Sequence, residues 1–366
     1  MGAQTTKEKK AVESDLSLRE RLRGEINRSL QRGAKGLALL GAPPPAVGLT
    51  PKTLLHRRGT LSLYHYHAQS DEIYRVPILL VMASTNRGYI FDLAPGQSLI
   101  EFLLLRGYDV YVMDWNPPSP EERHLKLEHY TQDFIPDCIR RVQQDSGEDD
   151  VTLAGYCMGG LMSAIYVAQH PDGPVKNLVC FTTPVDFHQM ELWKSWSDER
   201  ALDIDRLVDA VGILQPETVI RFFEMLRPAS GAAGQVRLWD NLWQDEFVKS
   251  YRVMDRWAAE TLPLPGDYVR QIVKELYRKN ALLDGSLCIG GTPVDLRNIR
   301  VPLLHVLAAN DHIVPPACGQ PLVALAGSVD KEEVVLPGGH VSLVAGGNAV
   351  KRMWPKLDQW LQTRSS

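Results

Sequence analysis

In the stretch LAGYCMGGLM, residues 153–162, Cys157 stands at the centre of a Gly-x-Cys-x-Gly pattern. Flanking glycines permit a backbone bend too tight for side chains, and the apolar run before them has the character of a strand that delivers one thiol at its tip. A cysteine is often an inert buried hydrophobe. Between two such glycines it points outward and reads as a nucleophile. Acyl transfer through a nucleophile also needs a base to take its proton and an acid to hold the base in the right tautomer, and open sheets can supply them in the order nucleophile, acid, histidine. Asp311 and His340 complete that order: Cys157 follows VTLAG, Asp311 follows VPLLHVLAAN and His340 follows EEVVLPGG, each just past the carboxyl end of a predicted strand. Asp186 in TTPVDF and Asp114 in VMDW compete for the place of the acid, and position favours Asp311. The oxyanion of the transition state needs donors, normally the backbone N–H after the nucleophile and one more from an earlier turn. Met158 fits the first role, and Thr85 is chosen from the window Ser84 to Asn86 for the second. His312, beside Asp311, reads as structural or substrate-binding rather than as a second base.

The choice of sulfur over oxygen carries information. A Cys–His pair attacks thioesters readily and forms another thioester, so exchange with a thiol leaving group such as coenzyme A lies near thermodynamic balance. Attack on the enzyme thioester by a hydroxyl then yields a more stable oxoester. Cysteine therefore suits a transferase that passes an activated acyl group to an alcohol.

The elements that must position these groups follow from the apolar pattern. From residue 60 onward, strand-like and helix-like stretches alternate: TLSLYHYH has the alternation of an edge strand, whereas VPILLVMAS, YDVYVMDW, DVTLAG, KNLVCFTTP, VPLLHVLA and EEVVLPG suit strands buried on both faces. That rhythm predicts an α/β protein of α/β-hydrolase fold, with a mostly parallel central sheet flanked by helices and functional groups at the strand carboxyl ends. The rhythm breaks over 186–297, which carries helix-like stretches such as DIDRLVDAVGIL and GDYVRQIVKELYRKN and five of the eight tryptophans, and which reads as an inserted, mainly helical cap. The expected organisation is an N-terminal helix and linker (1–50), a first core part (51–185), the cap (186–297) and a second core part (298–366). Within 1–50, Leu18, Leu22, Ile26 and Leu30 form an apolar stripe expected to pack on the protein's own core, with a partner subunit or a hydrophobic particle as alternatives.

Composition narrows the classes. Hydrophobic residues at 44%, charged residues at 23% and a net charge of −4 describe an ordinary soluble protein and argue against nucleic acid bound through phosphates. Cys138, Cys157, Cys180, Cys288 and Cys318 are odd in number, widely spaced and free of CxxC pairs, so neither a metal site nor a disulfide framework is expected, and the compartment is expected to be the cytoplasm. No apolar run reaches the roughly 18 residues of a transmembrane segment.

Taken together, several stretches resemble the catalytic subunit of class III-type polyhydroxyalkanoate synthases: VGLTPKTLLHRRGTLSLYHY, NRGYIFDLAPGQSLIEFLLLRGYDVYVMDW, FTTPVDF, GGTPVDLRNIRVPLL, NDHIVPP and PGGHVSLVAG. The resemblance runs from about residue 48 over nearly the whole chain. It assigns the nucleophile, the aspartate and the histidine to Cys157, Asp311 and His340. It implies polymerisation of (R)-3-hydroxyacyl-CoA, typically 3-hydroxybutyryl-CoA, with release of coenzyme A as a product and with no cofactor, since the CoA thioester is the substrate. It further implies a growing polyester chain, a granule surface, a second non-catalytic synthase subunit and a homo-oligomer, and it leaves open whether Asp311 orients His340 or helps to activate the substrate hydroxyl. One departure is at the elbow, where the family more often has Ile-Cys-Gln and this chain has Tyr156, Cys157 and Met158. GYCMGG is close to the elbow of dienelactone hydrolases, which open a lactone with water. Those enzymes are smaller and lack a large cap, so 186–297 favours the synthase. A catalytically silent granule scaffold is the remaining alternative.

Overall fold

The computed structural model describes residues 23–39, 41–228 and 230–366. Its main sheet comprises β1 (Lys52–Arg58), β2 (Leu61–Tyr66), β3 (Ile78–Val81), β4 (Val110–Trp115), β5 (Val151–Tyr156), β6 (Val175–Phe181), β7 (Leu303–Ala308) and β8 (Lys331–Leu336). They lie in the order β1-β2-β4-β3-β5-β6-β7-β8, with β1–β2 and β2–β4 antiparallel and every other neighbour parallel. This is the α/β-hydrolase arrangement. Strands β3, β5 and β7 are buried along their whole length, which is why ILLV, VTLAGY and LLHVLA carry almost no charge. Helices cover the faces with apolar stripes. Ile135–Ser146 buries Ile135, Cys138, Ile139 and Val142 at helical spacing, and stops at Gly147, whose φ of 77° an L side chain would resist.

The edge of the sheet differs from expectation. TLSLYHYH lies inside it, because β1 pairs along β2 and takes the edge itself. Sequence KTLLHRR hides this role: its register shifts between Leu54 and His56, which breaks the alternation, and its charged residues suit an edge that resists further pairing.

Between β6 and β7 the described residues form helices joined by loops, with two-residue ladders that pair Ile213–Leu214 with Leu264–Pro265 and Cys288–Ile289 with Thr292–Pro293. Two compact units divide the chain. The larger spans Ala46–Leu226 and Trp257–Ser366 and holds the whole sheet and every candidate site residue; the smaller joins the segment ending at Pro45 to Arg227–Arg256. The span 186–297 is thus shared between the two, with Trp193, Trp196 and Trp257 in the larger unit and Trp239 and Trp243 in the smaller. Within the smaller unit, residues 23–39 are helical, Lys35 pairs with Asp245, and the guanidinium groups of Arg252 and Arg256 donate to the carbonyls of Pro43 and Pro45. Ile26 and Leu30 are 59% and 67% exposed, so this part of the apolar stripe does not pack on the protein's own core. Leu18 and Leu22 lie outside the described residues. Among the described residues no helix is long and apolar enough to cross a membrane.

Candidate active site

The elbow is built by strain and close approach. At the end of β5, Cys157 takes φ 55° and ψ −119° and caps the helix Met158–Gln169; its N–H donates to the Phe181 carbonyl at 2.9 Å. Such a conformation is costly for a non-glycine residue and persists only where the surroundings enforce it. Here the surroundings are glycines. A Cβ on Gly155 would sit 2.5 Å from backbone atoms of Gly159 and Gly160, and one on Gly159 would sit 2.2 Å from the Val81 carbonyl on β3. The helix can cross its own strand and the neighbouring strand this closely only where side chains are missing, and that crossing turns a half-buried Cys157 outward.

Asp311 and His340 reach the same place from the next strand ends. The turns after β7 and β8 are tied together, Asn310 N–H donating to the Gly338 carbonyl at 2.8 Å. The Asp311 carboxylate is 0% exposed. Its Oδ1 accepts from the backbone N–H groups of Ile313 and Val314, both at 2.9 Å, and its Oδ2 accepts from His340 Nδ1 at 2.7 Å. This fixes the proton on Nδ1 and leaves the other ring nitrogen to serve the Cys157 sulfur, which lies near enough for the imidazole to feel its charge. Burial alone would drive the His340 proton off. The negative charges of Cys157 and Asp311, with their hydrogen bonds, outweigh it and push the imidazole up to about 10.

The rival carboxylates are engaged elsewhere. Asp186 accepts from the His188 N–H, Asn280 Nδ2 and Gln189 Nε2. Asp114 accepts from the N–H groups of Gly88 and Trp115, and burial pushes its carboxyl up. Met158 and Thr85 share a cavity wall with Cys157. The first stands at the start of the elbow helix, where N–H groups lack intrahelical acceptors; the loop holding the second is anchored by the Thr85 carbonyl, which accepts from Leu262 N–H at 2.7 Å. His312 is exposed and does not line the cavity, whereas Ile313 and Val314 do.

That cavity, of about 150 Å³, is lined by Cys157 and otherwise mostly by apolar and aromatic side chains. Trp193 is part of that wall and packs among other rings, with ring centroids 5.7 Å from Trp196, 5.8 Å from Phe223 and 5.7 Å from Tyr277. Sequence reasoning missed three groups close to the reacting atoms. Tyr156 packs its ring 5.1 Å from that of His340, and its place just before the nucleophile on a buried strand was the available signal. Tyr268 had no such signal, and Ser84 stood only at the start of the window for the second oxyanion donor, not as a side chain of the site. His305, inside β7, is held neutral by burial at about 3 and accepts the Thr183 N–H at 3.2 Å, steadying the loop after β6.

Comparison with known proteins decides the family. Residues 45–103 match the family described as the N-terminus of poly-beta-hydroxybutyrate polymerase (PhaC), and residues 88–346 match the alpha/beta hydrolase fold. The poly(3-hydroxyalkanoate) polymerase subunit PhaC of Allochromatium vinosum is 36% identical over 345 residues, covering 93% of this chain and 96% of the relative. The chain belongs to the PhaC polymerase family. Another PhaC subunit, from Haloferax mediterranei, is 33% identical over 87% of this chain, which spans 65% of that relative's length; the PhaC subunit of a Synechocystis strain is 32% identical over 91% of this chain and 89% of its own. Among solved structures, a soluble variant of monoglyceride lipase from Saccharomyces cerevisiae superposes with a TM-score of 0.51 at 14% identity, covering 89% of this chain and 97% of that one. At that identity the likeness is one of fold. It agrees with the sheet order described above.

Proposed function

We propose that this chain is an acyltransferase that polymerises (R)-3-hydroxyacyl-CoA, 3-hydroxybutyryl-CoA foremost, into polyester with release of coenzyme A. The observation that carries the reading is the strained Cys157 at the strand end, beside an imidazole whose Nδ1 is held by a buried carboxylate. In the first step the Cys157 proton passes to His340, the sulfur attacks the thioester carbonyl, and the tetrahedral oxyanion lies against the N–H groups of Met158 and the Thr85 loop. The bond to the CoA sulfur breaks, and His340 returns the proton to it. In the second step a hydroxyl gives its proton to His340 and attacks the Cys157 thioester; a C–O bond forms and the C–S bond to the enzyme breaks. Asp311 holds the imidazole in the tautomer both steps need. An apolar cavity favours the acyl unit over water, the competing acceptor. The CoA thioester is consumed as substrate, and no cofactor enters either step.

On this reading the parts of 186–297 that lie in the larger unit, 186–226 and 257–297, cap the reacting centre, His312 lies outside the acyl site, and the enzyme works in the cytoplasm on the surface of its polyester granule, as a homo-oligomer with a second, non-catalytic subunit. Mass spectrometry of the intact protein after brief exposure to 3-hydroxybutyryl-CoA should find a hydroxyacyl adduct on Cys157, and longer exposure should yield free coenzyme A with insoluble polyester. Acid without polymer would make the chain a hydrolase, and no turnover even with the second subunit would make it a scaffold. Cys157→Ala should abolish adduct and polymer together.

A further inference from the structure

The cavity wall is mostly apolar, with Thr85, Ser197, Tyr268 and Tyr277 as its hydroxyl-bearing residues, and near Cys157 the buried hydroxyl of Tyr268 lies on it with that of Ser84 beside it. Tyr268, from the helix Gly266–Gln271, lines the cavity and is 1% exposed; Ser84, from the loop after β3, is 5% exposed and lies beside it. Neither the Tyr268 hydroxyl nor Ser84 Oγ has a partner with hydrogen-bond geometry. Buried hydroxyls left in this state are destabilising, and a native site keeps them when something that arrives later completes them. Burial pushes the Tyr268 phenol up, so it stays a donor, and it lies close enough to Cys157 to feel a charge on the sulfur. A serine hydroxyl both donates and accepts. Together the pair fits a small neutral group that also does both.

Chemistry supplies such a group. Resting on the function proposed above, the acyl unit on Cys157 must carry a hydroxyl, because an acyl group without one can accept no further unit and would end the chain. An apolar wall cannot make that distinction, since a hydrophobic pocket rejects or admits an added hydroxyl only weakly, whereas a pocket with buried hydrogen-bonding groups rejects the analogue that leaves them unpaired. We propose that the Tyr268 and Ser84 hydroxyls bind the 3-hydroxyl of the acyl unit and are the groups that distinguish a hydroxyacyl thioester from a plain acyl thioester.

The test compares the rates at which Cys157 gains an adduct from 3-hydroxybutyryl-CoA and from butyryl-CoA, read by intact mass at short times, with the thermal midpoint recorded for each protein. Wild type should prefer the hydroxyacyl substrate. Tyr268→Phe should narrow that preference by roughly tenfold or more, by slowing hydroxyacyl transfer while butyryl transfer stays near wild type. Ser84→Ala, which removes only one oxygen, should narrow it in the same direction and carries the test if Tyr268→Phe fails to fold. An unchanged ratio, or equal slowing of both substrates, would assign Tyr268 to the oxyanion or to packing and overturn the inference alone. A wild-type protein that takes neither acyl group onto Cys157 would overturn the function from which the inference starts.

Discussion

Replacing Gly160 by alanine tests how the elbow is held. A Cβ there would lie 1.9 Å from Thr183 Oγ1, 3.1 Å from Thr183 Cβ and 3.0 Å from the Gly155 carbonyl. The first contact is impossible, so either Thr183 or the start of the helix Met158–Gln169 must move by about 1 Å. Thr183 is poorly free to do so, because its N–H is bonded to the buried His305 ring. Overpacking of this kind costs about 1–3 kcal/mol, offset by up to ~1 kcal/mol of helix propensity gained over glycine. A net loss of about 1–2 kcal/mol lowers the unfolding midpoint by a few degrees at ~2 cal/mol/K per residue. The larger effect falls on chemistry: a shift of about 1 Å in Cys157 and the Met158 N–H should slow acyl-enzyme formation about 10²-fold. Thr183→Ala removes Oγ1 and leaves contacts of 3.0 and 3.1 Å, which a shift of a few tenths of an ångström relieves. The double variant should therefore recover most of the rate and show a coupling of about 1–2 kcal/mol. Alkylation separates a moved elbow from a damaged fold: exposed Cys288 should label equally in every variant, while Cys138, Cys180 and Cys318, buried and with their thiols pushed up by burial, should stay silent. A Gly160→Ala protein with wild-type stability and wild-type acylation, or a double variant no better than the single, would refute the account of the elbow.

Asp311→Asn should reduce acylation of Cys157 by about 10²–10⁴-fold and lower the His340 titration midpoint seen by NMR, because the carboxylate is one of the charges that raise it. His65 lies between Asp109 and Asp145, 2.8 Å from each, stacked on Tyr111; burial opposes its charge, but the two carboxylates win and raise it. A raised histidine stabilises fully below its unfolded value near 6.5 and loses that contribution as pH climbs through the folded value. The midpoint difference between wild type and His65→Gln should thus be widest below about pH 6.5 and narrow at alkaline pH, and a gap that widens as pH rises would contradict the pairing.

What was legible followed from how completely tertiary structure constrains a residue type. Strands buried on both faces must be apolar and short, so β3, β5 and β7 could be read from ILLV, VTLAGY and LLHVLA. The elbow could be read because no residue but glycine fits at 155 and 159. Asp311 could be preferred to Asp186 by strand order, though only the backbone donors of Ile313 and Val314 explain why that carboxylate is already aimed. β1 was hidden because an exposed, irregular edge places little demand on sequence. Tyr268 and Trp193 were hidden for another reason: their positions depend on the path of a long helical segment, and buried tyrosines and tryptophans occur as readily in ordinary cores. The division that joins Arg227–Arg256 to the segment ending at Pro45 depends on contacts between residues some 200 apart, for which no local pattern exists.

The direction of the chemistry rests on where polarity has been allowed. Buried charge in the larger unit's site is confined to the Cys157, His340 and Asp311 line, and each member is held by backbone or by the next member. Beyond the sulfur the wall turns aromatic and aliphatic. A mostly apolar cavity of about 150 Å³ is large enough for a ligand the size of benzene. Water that enters finds few partners along that wall, whereas an acyl unit of similar bulk would fill the space. A serine in place of Cys157 would spend the thioester's energy on forming an ester in the first step and leave little to drive a second alcohol onto it. In the proposed reaction sulfur conserves the energy until the alcohol attacks, and an apolar wall disfavours water in the interval between the steps.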